Sequence, residues 1–258
     1  MPIQMGCKCR NRTTRDAGTT QRDTMRLSPF LTAAVLLAAT ALGGCEPAVE
    51  ANADQPPPAA EMSPVPQGSG FDFYVLSLSW SPSYCEAEGA EANRQQCGSA
   101  RPYAFVVHGL WPQFEHDYPE YCPTRRDRVP DALVATLLDI MPSAGLIGHQ
   151  WRKHGSCSGL SQADYFAVTR AARDRIAVPE RFRRPGAAAM VDPDEVEKDF
   201  IAANPGLAAD GIAVSCDDGY LREVRICMDK ALGLRACREI DRKSCRSAKL
   251  LMPPVGGG

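Results

Sequence analysis

A chain of 258 residues can form one large domain or two small ones, and 44% hydrophobic with 23% charged residues is enough for a sizeable core. A formal net charge of −2 excludes a strongly basic protein that coats nucleic acid regardless of sequence, while leaving room for a local basic patch. Eleven cysteines are too many for a cytosolic chain with reduced thiols, and the odd count asks which of them stand apart.

The N-terminus answers part of that question. From Met25 the chain reads MRLSPFLTAAVLLAATALGGC, with one arginine, an apolar run over residues 30–42, two glycines and Cys45. That is the order of a secretory signal, and the run falls short of the roughly 20 apolar residues a membrane span needs. The tail LGGC resembles a bacterial lipoprotein signal, which makes Cys45 the expected lipidation site and membrane anchor. Residues 1–24, polar and carrying Cys7 and Cys9, are expected to be an overextended gene start or an extended n-region. Residues 46–70 are rich in proline, alanine and acids and poor in large apolar groups, so they read as a tether that builds no core. Setting aside Cys7, Cys9 and Cys45 leaves Cys85, Cys97, Cys122, Cys157, Cys216, Cys227, Cys237 and Cys245. An even set in an exported chain predicts up to four disulfides, with the connectivity open.

The folded domain is expected over residues 71–258. FDFYVLSLSW reads as a buried strand, and a loop carrying Cys85 and Cys97 follows. YAFVVHGLWP reads as a second strand, stopped by Gly109 and Pro112, that delivers His108 at its end. DALVATLLDIM and SQADYFAVTRAARDRI have helical spacing. DPDEVEKDFIAANPG predicts a helix with Asp192 as N-cap, Pro193 at the first position and Glu195 closing a capping box. GIAVSC and GYLREVRICM flank Asp217-Asp218-Gly219 and predict a hairpin. Strands and helices without regular alternation predict an α+β fold, a central antiparallel sheet with several packed helices, disulfide-bonded. Six arginines over residues 170–184 are read as a solvated helix face and loop rather than a polyanion site.

The chemistry concentrates in two segments, HGLWP and HQWRKHGSC. Together they hold His108, His149 and His154, three of the four histidines in the chain; only His116 lies outside. His149, His154 and Cys157 are metal ligands by type, but the spacing is not HExxH and Cys157 has partners for a disulfide, so no metal or other cofactor is expected. Two imidazoles can instead divide proton transfer near neutral pH, with a lysine stabilising the anion between them. An RNA phosphodiester needs that set, because its 2′-hydroxyl is the nucleophile and its 5′-oxygen must leave protonated. An aromatic such as Trp111 could stack on a base, although a core role suits it as well.

These two segments, about 40 residues apart, resemble the active-site segments of the ribonuclease T2 family. NPGL, GYLREVRIC and the C-terminal cysteines extend the resemblance over roughly residues 71–246. It implies an exported endoribonuclease of low base specificity. Such an enzyme cleaves single-stranded RNA through a 2′,3′-cyclic phosphate to 3′-phosphate products, without metal, as a monomer in the periplasm or outside the cell. It implies His108 and His154 as the acid–base pair, Lys153 on the phosphorane, His149 on the phosphate and Trp111 at a base, with Trp151 assigned to the core. It also implies a Cys122–Cys157 disulfide pinning the two segments; Cys216–Cys245 and Cys227–Cys237 would then leave Cys85–Cys97. One position departs: Gln150 stands where the family has glutamate, in a catalytic segment, and glutamine carries no charge and takes no proton. The alternative that follows is a catalytically impaired lipoprotein of the same fold that binds RNA or a protein. A metal-dependent phosphodiesterase is a third reading, separable by a chelator.

Overall fold

The structure is a computed structural model that describes residues 64–98, 100 and 102–256. The expectations for the signal, the lipidation site and the start of the tether lie outside these residues. Among the described residues no helix is long and apolar enough to cross a membrane.

Six strands form one sheet: β1 (Phe73–Trp80), β2 (Phe105–Gln113), β3 (Ala189–Val191), β4 (Ile212–Asp217), β5 (Tyr220–Met228) and β6 (Leu250–Met252). The order is β2-β1-β5-β6-β3, with β4 also paired to β5. Every pairing is antiparallel except β5 with β6, which meet in parallel at Tyr220 and Leu251. The sheet is therefore mixed rather than purely antiparallel, inside the expected α+β class. The β4–β5 hairpin closes over Asp218 and Gly219, both at positive φ (46° and 80°), as a two-residue turn of this twist requires.

Period-two alternation sorts β1 between two faces. Tyr74, Leu76, Leu78 and Trp80 enter the main core with Leu110, Val224 and Ile226. Phe73 and Val75 join a smaller cluster with Cys227, Cys237 and Ile240, against which Trp111 packs. Among the described residues seven α-helices accompany the sheet: α1 (Ser81–Glu88), α2 (Arg94–Cys97), α3 (Asp131–Ala135), α4 (Ala144–Lys153), α5 (Gln162–Asp174), α6 (Pro193–Ala203) and α7 (Arg238–Asp241). Trp151 is buried in the main core beside Tyr165 of α5, as assigned.

Several local expectations need correction. The stretch between Cys85 and Cys97 is not a plain loop; it holds α1 and α2, stapled by that disulfide. The helix expected over DALVATLLDIM stops at Ala135, where Thr136 Oγ1 donates to the Leu133 carbonyl, and the chain then turns so that Ile140 O accepts from Val107 N on β2. Gly109 and Pro112 do not stop β2, which continues to Gln113. β2 lies at the sheet's edge, where a proline without an N–H costs no ladder bond. In α6, Asp192 accepts from Asp194 N as the cap and Pro193 opens the helix, but Glu195 pairs with Lys198 instead of closing a capping box. The arginine run is largely engaged in holding the fold: Arg170 forks onto Asp139, Arg181 pairs with Asp199 and Arg183 with Glu180.

All four disulfides close as the resemblance implied: Cys85–Cys97, Cys122–Cys157, Cys216–Cys245 and Cys227–Cys237. Cys122–Cys157 ties the loop after β2 to the end of α4, beside a backbone bond from Tyr121 N to Lys153 O at 2.8 Å.

Candidate active site

A β-bulge places the first histidine. Against β1, Ser77 pairs with Gly109 and Leu78 with Val107, so His108 is the extra residue on β2. Strict alternation would put Val107 and Leu110 on opposite faces, yet both are fully buried in the main core. The bulge absorbs the mismatch and lets His108 and Trp111 share the other face, with ring centroids 5.5 Å apart.

Helix α4 supplies the second segment. Ser143 caps it by accepting from Leu146 N, and Ile147 and Trp151 anchor its buried side. His149 and Lys153, four residues apart, lie on one face. His154 follows as the C-cap, its N–H donating to Gln150 O. His108, Trp111, His149, Gln150, Lys153 and His154 all line one cavity of about 350 Å³. A neighbouring cavity of about 700 Å³ shares His108, His149, Glu223 and Arg225 and continues toward Tyr84 and Leu146. Every non-cysteine site residue singled out from the sequence is therefore brought together.

The two imidazoles, of His154 and His108, sit in opposite surroundings. His154 is buried, and its Nδ1 has no hydrogen-bond partner. Burial first, then the charges of Lys153, His108 and His149, push its proton affinity down to about 3. It is neutral at ordinary pH. His149 is also held below its usual value, by partial burial and then by Lys153, Arg152 and His108. His108 is more open, and its Nδ1 meets Glu223 Oε1 on β5. Arg225 donates twice to the other carboxylate oxygen, at 2.9 and 2.7 Å. Burial works to raise the Glu223 carboxyl, but the His108 contact and the Arg225 charge outweigh it and hold it at about 2.

Gln150 is almost fully buried, and its Oε1 accepts from Trp111 Nε1 at 2.8 Å. The Trp111 ring stacks on His154, with centroids 5.3 Å apart and an interplanar angle of 29°, and the Arg225 guanidinium lies 5.4 Å from its centre. With His108, Trp111 is thus already engaged by four neighbours. Gly109 is what lets Gln150 come this close: a Cβ there would sit 2.1 Å from Gln150 Oε1 and 2.3 Å from Trp111 Nε1. Lys153 reaches the cavity with Glu120 3.5 Å away. Cys157 is held in its disulfide and offers no thiolate to a metal. Among the described residues no group of three or more His, Cys, Asp or Glu is arranged to hold a metal ion.

Sequence reasoning missed Glu223, Arg225, Tyr118 and Lys243, which complete the cavity wall. The available signal for Glu223 was an acid inside the apolar strand GYLREVRICM, but its partner lies 115 residues away.

Comparison with known proteins bears on the family and the fold. A "Ribonuclease" of Aeromonas hydrophila is 37% identical over 164 residues, covering 62% of this chain and 73% of that protein. A "Probable ribonuclease" of Haemophilus influenzae is 31% identical over 183 residues, covering 65% of this chain and 61% of that one. Among solved structures, trichomaglin, described as an S-like ribonuclease, superposes with a TM-score of 0.57 at 22% identity, covering 72% of this chain and 98% of its own. RNase NT, solved with 5′-AMP, gives 0.53 at 20% identity, covering 72% and 100%. At such identities these two speak for the fold. The sequence model described as the Ribonuclease T2 family matches residues 71–237, well over half of the chain, and with the cavity built from its two histidine segments the chain belongs to the ribonuclease T2 family.

Proposed function

We propose that this chain is an exported endoribonuclease that cleaves single-stranded RNA, with low base specificity, by a metal-independent two-imidazole mechanism. The observation that carries the reading is the opposite environment of the two rings at one cavity. His154, neutral, takes the proton of the 2′-hydroxyl. The 2′-oxygen attacks phosphorus and the bond to the 5′-oxygen breaks. His108, held at Nδ1 by Glu223, acts as the acid and gives its proton to that leaving oxygen. Lys153 and His149 face the phosphoryl oxygens as negative charge gathers there. The product is a 2′,3′-cyclic phosphate. In the second step His108 takes a proton from water, the water oxygen attacks phosphorus, and the departing 2′-oxygen regains a proton from His154, which leaves a 3′-phosphate.

Burial and the positive charge around it keep the proton affinity of His154 low. A phosphodiester entering among Lys153, His149 and His108 brings the opposing charge and raises it again, so the base strengthens when substrate is bound. Gln150 keeps a task that needs no charge, since its oxygen holds the Trp111 N–H. The carboxylate that it lacks would favour protonated imidazoles nearby. Gln150→Glu is therefore expected to move the acid limb of the pH–rate profile to higher pH; an unmoved limb contradicts this electrostatic account.

Export is supported by the four disulfides and by the signal-like residues 25–45. Lipidation at Cys45, followed by the tether, would hold the enzyme as a monomer on a membrane facing the periplasm or the outside. The direct test is incubation of the disulfide-bonded chain with RNA in EDTA. Cleavage that survives the chelator and leaves cyclic-phosphate and then 3′-phosphate ends is expected. Loss of cleavage in EDTA, or none from a folded sample between about pH 4 and pH 8, overturns the reading.

A further inference from the structure

Two members of the cavity wall have no part in the proton transfers just described, yet they touch both halves of the site. Glu223 and Arg225 stand two apart on β5, so they project from the same face of the sheet. Glu223 divides its oxygens: Oε1 goes to His108, and Oε2 accepts two bonds from Arg225 and a longer one, 3.4 Å, from Ser215 Oγ. Arg225 in turn lies over Trp111, the ring stacked on His154. The carboxylate cannot rotate away from His108 without giving up the Arg225 fork. Other charged or titratable groups near His108 are His149, Lys153 and His154 from the α4 segment and Arg222 on β5, with Glu88 and Asp217 farther along the larger cavity. Glu223 meets the His108 ring directly, at Nδ1.

We infer that Glu223 is a positioning residue for RNA cleavage, fixing His108 with its proton on Nδ1 and Nε2 free toward the cavity, and that Arg225 locks this carboxylate in place. The inference rests on the reading of His108 as the acid. A carboxylate accepts but does not donate, so the nitrogen facing it carries hydrogen in both charge states. Nε2 is then the atom that donates to the leaving 5′-oxygen and, once neutral, the atom that accepts from water in the second step. Without Glu223 the neutral ring is free to carry its hydrogen on either nitrogen, and half-productive tautomers dilute the second step.

The first measurement uses the unmodified chain. Nitrogen NMR of 15N-histidine-labelled protein is expected to show the neutral His108 ring protonated at Nδ1, with a mixture of tautomers in Glu223→Gln. A ring predominantly protonated at Nε2 in the unmodified chain overturns the inference, whether or not the protein cleaves RNA. The second measurement is kinetic. Glu223→Gln is expected to lower kcat on the order of 10-fold or more and to leave KM nearly unchanged, because the His108 ring is less often placed with Nε2 ready to act. On an RNA analogue whose 5′-oxygen is replaced by sulfur, the leaving thiolate needs little protonation, and the defect in the first step should largely vanish. Equal slowing on both substrates, or no slowing on either, overturns the inference. If the unmodified chain cleaves neither substrate, the proposed function fails, and the tautomer measurement still decides the role of Glu223.

Discussion

Replacing His154 with alanine is expected to reduce RNA cleavage by on the order of 10²- to 10⁴-fold, the usual range for removing a positioned proton-transfer group. His108→Ala should fall in the same range. The two losses arise differently. His154 has little solvent contact, and burial with the nearby charge of Lys153 holds its proton affinity low, so its ring is neutral and available. His108 is held at Nδ1 by the Glu223 carboxylate, which Arg225 fixes in turn. The double variant should be scarcely worse than either single one, since groups acting as a unit are not additive. The His108→Ala loss should appear with a melting temperature unchanged to within a few degrees, because that ring is part-exposed.

Gly109→Ala carries the second large effect. The new methyl would overlap Gln150 Oε1, at 2.1 Å, and Trp111 Nε1, at 2.3 Å, both atoms of the hydrogen bond that fixes the Trp111 ring. Something must shift, and Gln150 is packed on all sides. Overpacking of this kind costs about 1–3 kcal/mol, equivalent to roughly 2–12 °C in melting temperature for a domain of this size. The kinetic loss should exceed the stability loss. Displacing Gln150 or Trp111 by about 1 Å moves the surface on which His154 stacks, and misplacement on that scale can cost on the order of 100-fold in rate. A Gly109→Ala protein with unmodified activity and melting temperature would show that Gln150 and Trp111 are not held as described.

The site was more legible in the sequence than the scaffold beneath it. HGLWP and HQWRKHGSC pack imidazoles, a cation and aromatics into few residues, so their chemistry survives without knowledge of the fold. Glu223 was hidden because its role depends on register: β5 must pair with β1, β2 must pair on the other side of β1, and a bulge must turn His108 toward β5. No local pattern encodes a contact across 115 residues. Gly109 and Pro112 read as stops in the sequence, yet β2 runs past both to Gln113. Gly109 is instead a site of close approach, and Pro112 is tolerated on an edge strand. Helix α4 was not anticipated because Gly145 and Gly148 weaken helix propensity and only Ile147 and Trp151 mark an apolar stripe; its Ser143 cap was the readable sign. Conversely, DALVATLLDIM had the spacing of a longer helix, and tertiary pairing of Ile140 with β2 overrode it.

The division of labour between the two histidines is the central claim, and a sulfur-substituted leaving group tests it most directly. His108→Ala and His154→Ala would each be assayed on ordinary RNA and on RNA with sulfur in place of the scissile 5′-oxygen, following only the first cleavage step. If His108 is the acid and His154 the base, sulfur restores most of the rate lost in His108→Ala and almost none of that lost in His154→Ala. Rescue of His154→Ala instead, or of both variants alike, would contradict the assignment.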